Sequence, residues 1–160
     1  NVLPTAQQYP ATGVDLRGVI RWEEDRTKRN MIKQITDGTS KSIMLGECAG
    51  REDVYRQGVK FDVNYTGSPK VRARGGAWAT TDNPYEIGDR KAWNASFDPI
   101  PGTVKINNSN EWGHCFYAFH AASANFAFAD GSVRTISDSI ELRTLADMVT
   151  RNGQENAIVE

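Results

Sequence analysis

Two residues in the last third of the chain could do chemistry together. They are His120 and Asp130, at the two ends of His120-Ala-Ala-Ser-Ala-Asn125-Phe-Ala-Phe-Ala-Asp130-Gly131-Ser132-Val133-Arg134. An imidazole and a carboxylate within reach of one another can pass a proton or hold a metal ion. Neither residue, however, has a second histidine or carboxylate at ligand spacing on the same strand face. We therefore read His120 as a neutral histidine that bonds a backbone carbonyl or Asp130 and braces the loop before a hairpin. A wider cluster of Glu111, His114 and His120 would suit a transition metal, because His114 and His120 share a strand face. Trp112 and Gly113 leave the local geometry of that cluster open. Nucleophilic catalysis has less to build on. No Gly-x-Ser-x-Gly occurs, Cys115 and its neighbour His114 point to opposite faces of a strand, and no phosphate-cradling glycine pattern is present. The expectation is a protein without catalytic residues, bound metal or cofactor.

Binding has more material. Trp93, with Tyr85 and Asn94, sits in the polar stretch 81–102, where an exposed aromatic among amides would suit a sugar face or a partner surface. Trp22, Trp78 and Trp112 read instead as anchors that tie loops to the core.

The elements that position these residues follow from periodicity. Phe126 and Phe128 alternate with Ala127 and Ala129, which is the period of a strand. Asp130-Gly131 reads as a two-residue turn with positive φ at both positions, so that Phe128 lies opposite Val133 and Ala127 opposite Arg134. Asp138 and Glu141 read as a capping box, followed by Leu142, Leu145, Met148 and Val149 on one helical face and a stop at Asn152-Gly153. Upstream, Asp37-Gly38 gives a second turn, then a strand over 42–45 with Ile43 and Leu45 on one face. Asp37-Gly38 and Asp130-Gly131 share a following hydroxyl, a cation two residues on and an isoleucine two further. Shared turn chemistry accounts for that echo better than a duplicated hairpin does. A short strand is expected over 18–22, a charged solvated loop over 23–30, and a hairpin or excursion over 51–74. A long loop is expected over 81–102, a short strand and turn over 104–110, and an alternating strand over 115–120. The fold class is α+β, mainly antiparallel β, with a tight C-terminal hairpin followed by a short helix.

The motif from His120 to Arg134, a histidine, nine residues and then Asp-Gly, resembles the C-terminal signature of the DUF1559 family, the "H-X9-DG" proteins of planctomycetes and relatives. Ile35-Thr-Asp37-Gly38-Thr-Ser40-Lys-Ser-Ile-Met-Leu-Gly46-Glu47 with Ala49-Gly50-Arg51 resembles a second block of that family, and Arg74-Gly75-Gly76-Ala77-Trp78-Ala79 a third. The tail from Leu142 to Glu155 is similar to its ending. The resemblance implies a pseudopilin-like protein, built like a type IV prepilin with a basic leader and an apolar N-terminal helix. This chain would be its soluble, pilin-like head, extracytoplasmic in the periplasm or at the cell surface. Its partners would be other proteins, or copies of itself assembled through the missing helix. His120, Asn125, Asp130, Gly131, Asp37 and Gly38 would be structural motif residues. Asp37, Asp130, Asp82 or Asp89 could bind calcium together with turn carbonyls, although no EF-hand spacing exists; some pilin-like heads carry calcium in a C-terminal loop, which does not locate one here. In an exported protein Cys48 and Cys115 are a candidate disulfide, with two buried thiols as the alternative.

Composition bounds the rest. The 160 residues are enough for one domain over 1–160 with its own core. Nineteen basic and twenty acidic residues give a net charge of −1, so nothing favours nucleic acid or an anionic membrane. No run is long enough to cross a bilayer, and no membrane contact is expected of this piece. The 14 glycines and a mean hydropathy of −0.55 point to a wet, loop-rich surface. The leading expectation is a non-catalytic extracytoplasmic assembly protein. The alternative is a surface or periplasmic module that binds a glycan or other small ligand.

Overall fold

The computed structural model describes residues 15–20, 31–51, 53–61, 92–96, 99–100, 106–111 and 116–153. In chain order its elements are β1 (Asp15–Gly18), a 3-10 turn (Ile32–Gln34), β2 (Ile43–Gly46), β3 (Val54–Arg56), β4 (Val59–Phe61), β5 (Ala92–Trp93), β6 (Pro99–Ile100), β7 (Ser123–Phe128), β8 (Val133–Ser137), α1 (Leu142–Val149) and β9 (Thr150–Asn152). Among the described residues the strands form one three-stranded sheet, β2-β7-β8, and the pairs β1-β9, β3-β4 and β5-β6. All these pairings are antiparallel. With one short helix among the described residues, the fold is α+β and mainly antiparallel, as expected.

The core sits on one face of β7. Ala124, Phe126 and Phe128 are buried there, while Ser123, Asn125 and Ala127 face outward. Leu145, Ala146, Met148 and Val149 of α1 cover that face, with Leu142 and Ile140 at the margin. Each buried Phe or Leu contributes about 1.5–3 kcal/mol. Phe116 packs edge-on against Phe126, with ring centres 4.7 Å apart. The approach requires Gly46, since a Cβ there would run into the Phe116 ring.

The signature hairpin forms, but not with the expected turn. Ala127 pairs with Val133 and Phe126 with Arg134, one residue off the register read from the sequence. Gly131 has φ 86°, and Asp130 is not left-handed. The Gly131 amide donates to Phe128 O (3.0 Å) and the Phe128 amide to Ser132 O (2.9 Å). The loop is therefore three residues, a turn followed by a left-handed glycine. Asp130 explains the difference: its carboxylate accepts from the Ser132 amide (2.9 Å) and hydroxyl (2.7 Å), a side-chain turn that favours ordinary φ. The two-residue turn with positive φ at both positions occurs instead at Gln57-Gly58 (48° and 82°), between β3 and β4.

Other expectations shift for equally local reasons. β2 pairs Ile43 with Phe128 but Leu45 with Ala127, so a bulge between them turns the two side chains to opposite faces. Ile43 is buried and Leu45 is 56% exposed. The cap of α1 is Glu141, without a side-chain bond. Asp138 lies in the preceding turn, its amide donating to Ala122 O at 2.9 Å. α1 stops at Val149, ahead of Asn152-Gly153, because Thr150 turns extended (φ −68°, ψ 150°) to enter β9. The first strand is 15–18, earlier than expected, because its register is set by β9. Phe116, Tyr117 and Ala118 do not alternate, and all three are buried. Phe116 and Ala118 belong to the main core, whereas Tyr117 stacks on Tyr55. Residues 106–110 bend at Asn107 (φ 61°), and only Ser109 bridges, to Arg56. The stretch 81–102 contains the pair β5-β6, so it is not one loop.

Candidate functional site

β7 separates His120 from Asp130, so the two do not meet. Asp130 serves its own turn. The Ser132 hydroxyl and amide hold its carboxyl below the usual carboxylate range, and Arg134, at 3.9 Å, adds a smaller pull in the same direction. The Arg134 guanidinium also lies 4.4 Å from the centre of the Phe128 ring.

His120 meets a different carboxylate. Its Nε2 is 3.4 Å from Glu47 Oε1 and 3.2 Å from Asn125 Nδ2. Thr135 Oγ1 donates to Asn125 Oδ1 (2.9 Å), and Asn125 donates to Glu47 Oε2 from both its amide nitrogen (3.0 Å) and Nδ2 (3.1 Å). These bonds fix the Asn125 side chain. Its second Nδ2 hydrogen can reach a bare Nε2, whereas a protonated Nε2 faces Glu47. Among the described residues the imidazole thus meets neither a backbone carbonyl nor Asp130, the two partners expected of it, but lies against Glu47, just past β2, and Asn125 of β7. Glu47 was the partner that sequence reading missed. Its signal is position alone, since it directly follows Gly46 in the strand beside β7.

Asp37 and Gly38 form the other motif corner. Asp37 Oδ2 accepts from the Gly153 amide at 2.7 Å, and Arg151 O accepts from the Thr36 and Asp37 amides at 2.8 and 3.4 Å. Thr36 Oγ1 donates to Asn152 Oδ1 at 2.6 Å. Asn110 plays a similar part elsewhere, accepting from Tyr55 N and donating to Ala49 O and Asp53 O. Asn107 does so too, accepting from Ala118 N (2.7 Å) and donating to Ser123 O (3.0 Å). Within the stretch 107–110, read as a turn cluster, the Asn107 and Asn110 side chains thus serve as backbone-like donors and acceptors.

A cleft of about 640 Å³ opens beside His120. Tyr117 forms part of its floor. Burial pushes the Tyr117 phenol above its usual value, against a hydrogen bond from the Gly58 backbone. Among the described residues the left-handed non-glycine positions are Gln57 (48°), Asn107 (61°) and Ala122 (53°), and all three line this cleft. Such backbone costs roughly 1–2 kcal/mol per residue, and Ala122 has no polar side chain to offset it.

The remaining candidates separate. Glu111 is not free for a metal: it forms a buried two-point pair with Arg56 (2.9 and 3.0 Å) and accepts from Ser109 Oγ (3.2 Å). Asn94 Oδ1 accepts from Ser96 N at 2.9 Å, and Trp93 lies on β5 opposite Pro99. Cys48 is a free thiol among the described residues and accepts from Arg51 Nε at 3.1 Å; the other half of the candidate disulfide, Cys115, lies outside them. Cys115, His114, Tyr85, Asp82, Asp89, Trp22, Trp78, Trp112 and the block 74–79 lie outside the described residues.

No curated protein and no solved structure matches the chain. A family described as "Protein of unknown function (DUF1559)" matches residues 4–143, a span that takes in both Asp-Gly corners, Glu47, His120 and Asn125. The chain belongs to the DUF1559 family.

Proposed function

We propose that this chain is the non-catalytic head of an extracytoplasmic structural protein, a pseudopilin-like subunit that works by assembling with other proteins. The observation that carries the reading is how the motif residues are used. Asp37 holds the Gly153 amide, Asp130 holds its own turn, and Asn125 ties Glu47 to Thr135. Asp37 and Asn125 join one stretch of chain to another, and Asp130 fixes the turn between two paired strands. The row Leu45, Ala127, Val133 on the outer sheet face, with Leu45 56% and Val133 68% exposed, supports a role through contact with another protein surface. Placement outside the cytoplasm, anchoring by an N-terminal helix and a pilin-like packing of the head rest on the resemblance to prepilins. The test is fractionation and cross-linking of the tagged full-length product in its own cells. The expected result is an envelope-bound protein, reached by protease from outside the cytoplasmic membrane and captured in cross-linked multimers. A cytoplasmic monomer would overturn the reading. The alternative, a glycan module built on Trp93, Tyr85 and Asn94, has weaker support because Asn94 is engaged by its own turn.

A further inference from the structure

We propose that the cleft beside His120 is a binding site for a neutral saccharide, a role beyond assembly and away from Trp93. Three side chains on its wall carry the idea. Phe119 is 61% exposed although the three residues before it are buried. Its ring is held in place, with Tyr55 4.9 Å away at 84° and Tyr117 5.7 Å away at 88°. A fixed, open ring offers an apolar surface that the C–H side of a pyranose can cover. His120 is the second, its side chain 56% exposed. Glu47 and Asn125 hold its Nε2, and among the described residues nothing meets Nδ1. Asp138 is the third, and among the described residues nothing hydrogen-bonds its carboxylate. An imidazole N–H and a carboxylate give a donor and an acceptor, which is what sugar hydroxyls require.

The surroundings narrow the ligand class. No lysine or arginine lines the cleft among the described residues, so an anion has no counter-charge there. Amides and polar backbone disfavour a lipid. The volume suits a small molecule. The left-handed residues Gln57, Asn107 and Ala122 all border the cleft, and backbone held in that region gathers where a site is shaped in advance.

The test is an NMR titration of the 160-residue chain with maltose, cellobiose, lactose and chitobiose at millimolar concentrations. At least one disaccharide is expected to shift the amides of residues 107–108, 118–122 and 138. Asp138→Asn is expected to weaken binding roughly tenfold by removing a charged hydrogen-bond acceptor. Phe119→Ala should weaken it further. Asp138→Asn is the decisive variant, because Phe119→Ala also disturbs the aromatic cluster. The proposal falls if no disaccharide produces shifts, if shifts are confined to residues 92–96, or if Asp138→Asn binds as well as the parent. It also falls if lysine amide produces the shifts and the sugars do not, which would mark a cation site. The assembly reading is tested separately by the fractionation above.

Discussion

Asp37-Gly38 and Asp130-Gly131 are the same dipeptide, each followed by a hydroxyl residue, and the fold uses them in opposite ways. Both glycines are left-handed, at 102° and 86°. Asp130 folds back on its own turn and bonds Ser132 two residues on. Asp37 instead receives the amide of Gly153, 116 residues away. The corners even touch, the Asp130 amide donating to Thr39 O at 3.1 Å. What differs is the supply of donors. β9 runs beside Asp37 and brings an amide, whereas the nearest amide offered to Asp130 is that of Ser132. The charged pairs divide the same way. Lys60 and Asp53 are 7 residues apart and exposed at 57% and 47%, while Arg56 and Glu111 are 55 apart and buried to 2% and 3%.

If that division governs stability, long-range bonds should matter most. Glu111→Ala removes the carboxylate that pairs with buried Arg56 at two points and is expected to cost about 3–5 kcal/mol in urea unfolding. Replacing both partners by Leu and Met should recover most of that loss; a single variant as stable as the parent would dissolve the distinction. Next, Asp37→Ala is expected to cost about 1–3 kcal/mol. Hydrogen exchange at Gly153 should quicken with it, which a purely local turn effect would not produce. Asp130 gives a smaller effect with a clear sign. Its carboxyl titrates below its unfolded value, so its contribution is present above the ordinary carboxylate range and fades as pH falls through the folded value. Asp130→Asn should therefore lower Tm near neutrality, by less than Asp37→Ala does, and flatten the acid limb of Tm against pH so that the two proteins converge at low pH. The smallest effect is Lys60→Ala, where an exposed pair should leave Tm unchanged within error.

Legibility in the sequence follows the same division. The hairpin β7-β8 and the apolar face of α1 depend on neighbours in the chain, and periodicity predicts them. The turn register was misread because Asp130 can bond Ser132 in a three-residue loop, an option the dipeptide alone does not display. The bulge in β2 has no marker in Ile43-Met44-Leu45, and it reverses Leu45. The site was half legible. His120 stood out as a bracing residue, yet Glu47, Asn107 and Asp138 acquire their roles only when β2, β7 and the bend at Asn107 come together.

The pairing of β1 with β9 sets an order of events. A nascent chain leaving the ribosome presents residues 15–18 early, while their partner arrives only after the helix has been synthesised. Through that interval residues 15–18 lack the partner that makes them a strand, and their backbone groups are open to other extended segments. Rapid burial by the segments in between, or a chaperone in the compartment where the chain folds, is what this arrangement asks of the cell.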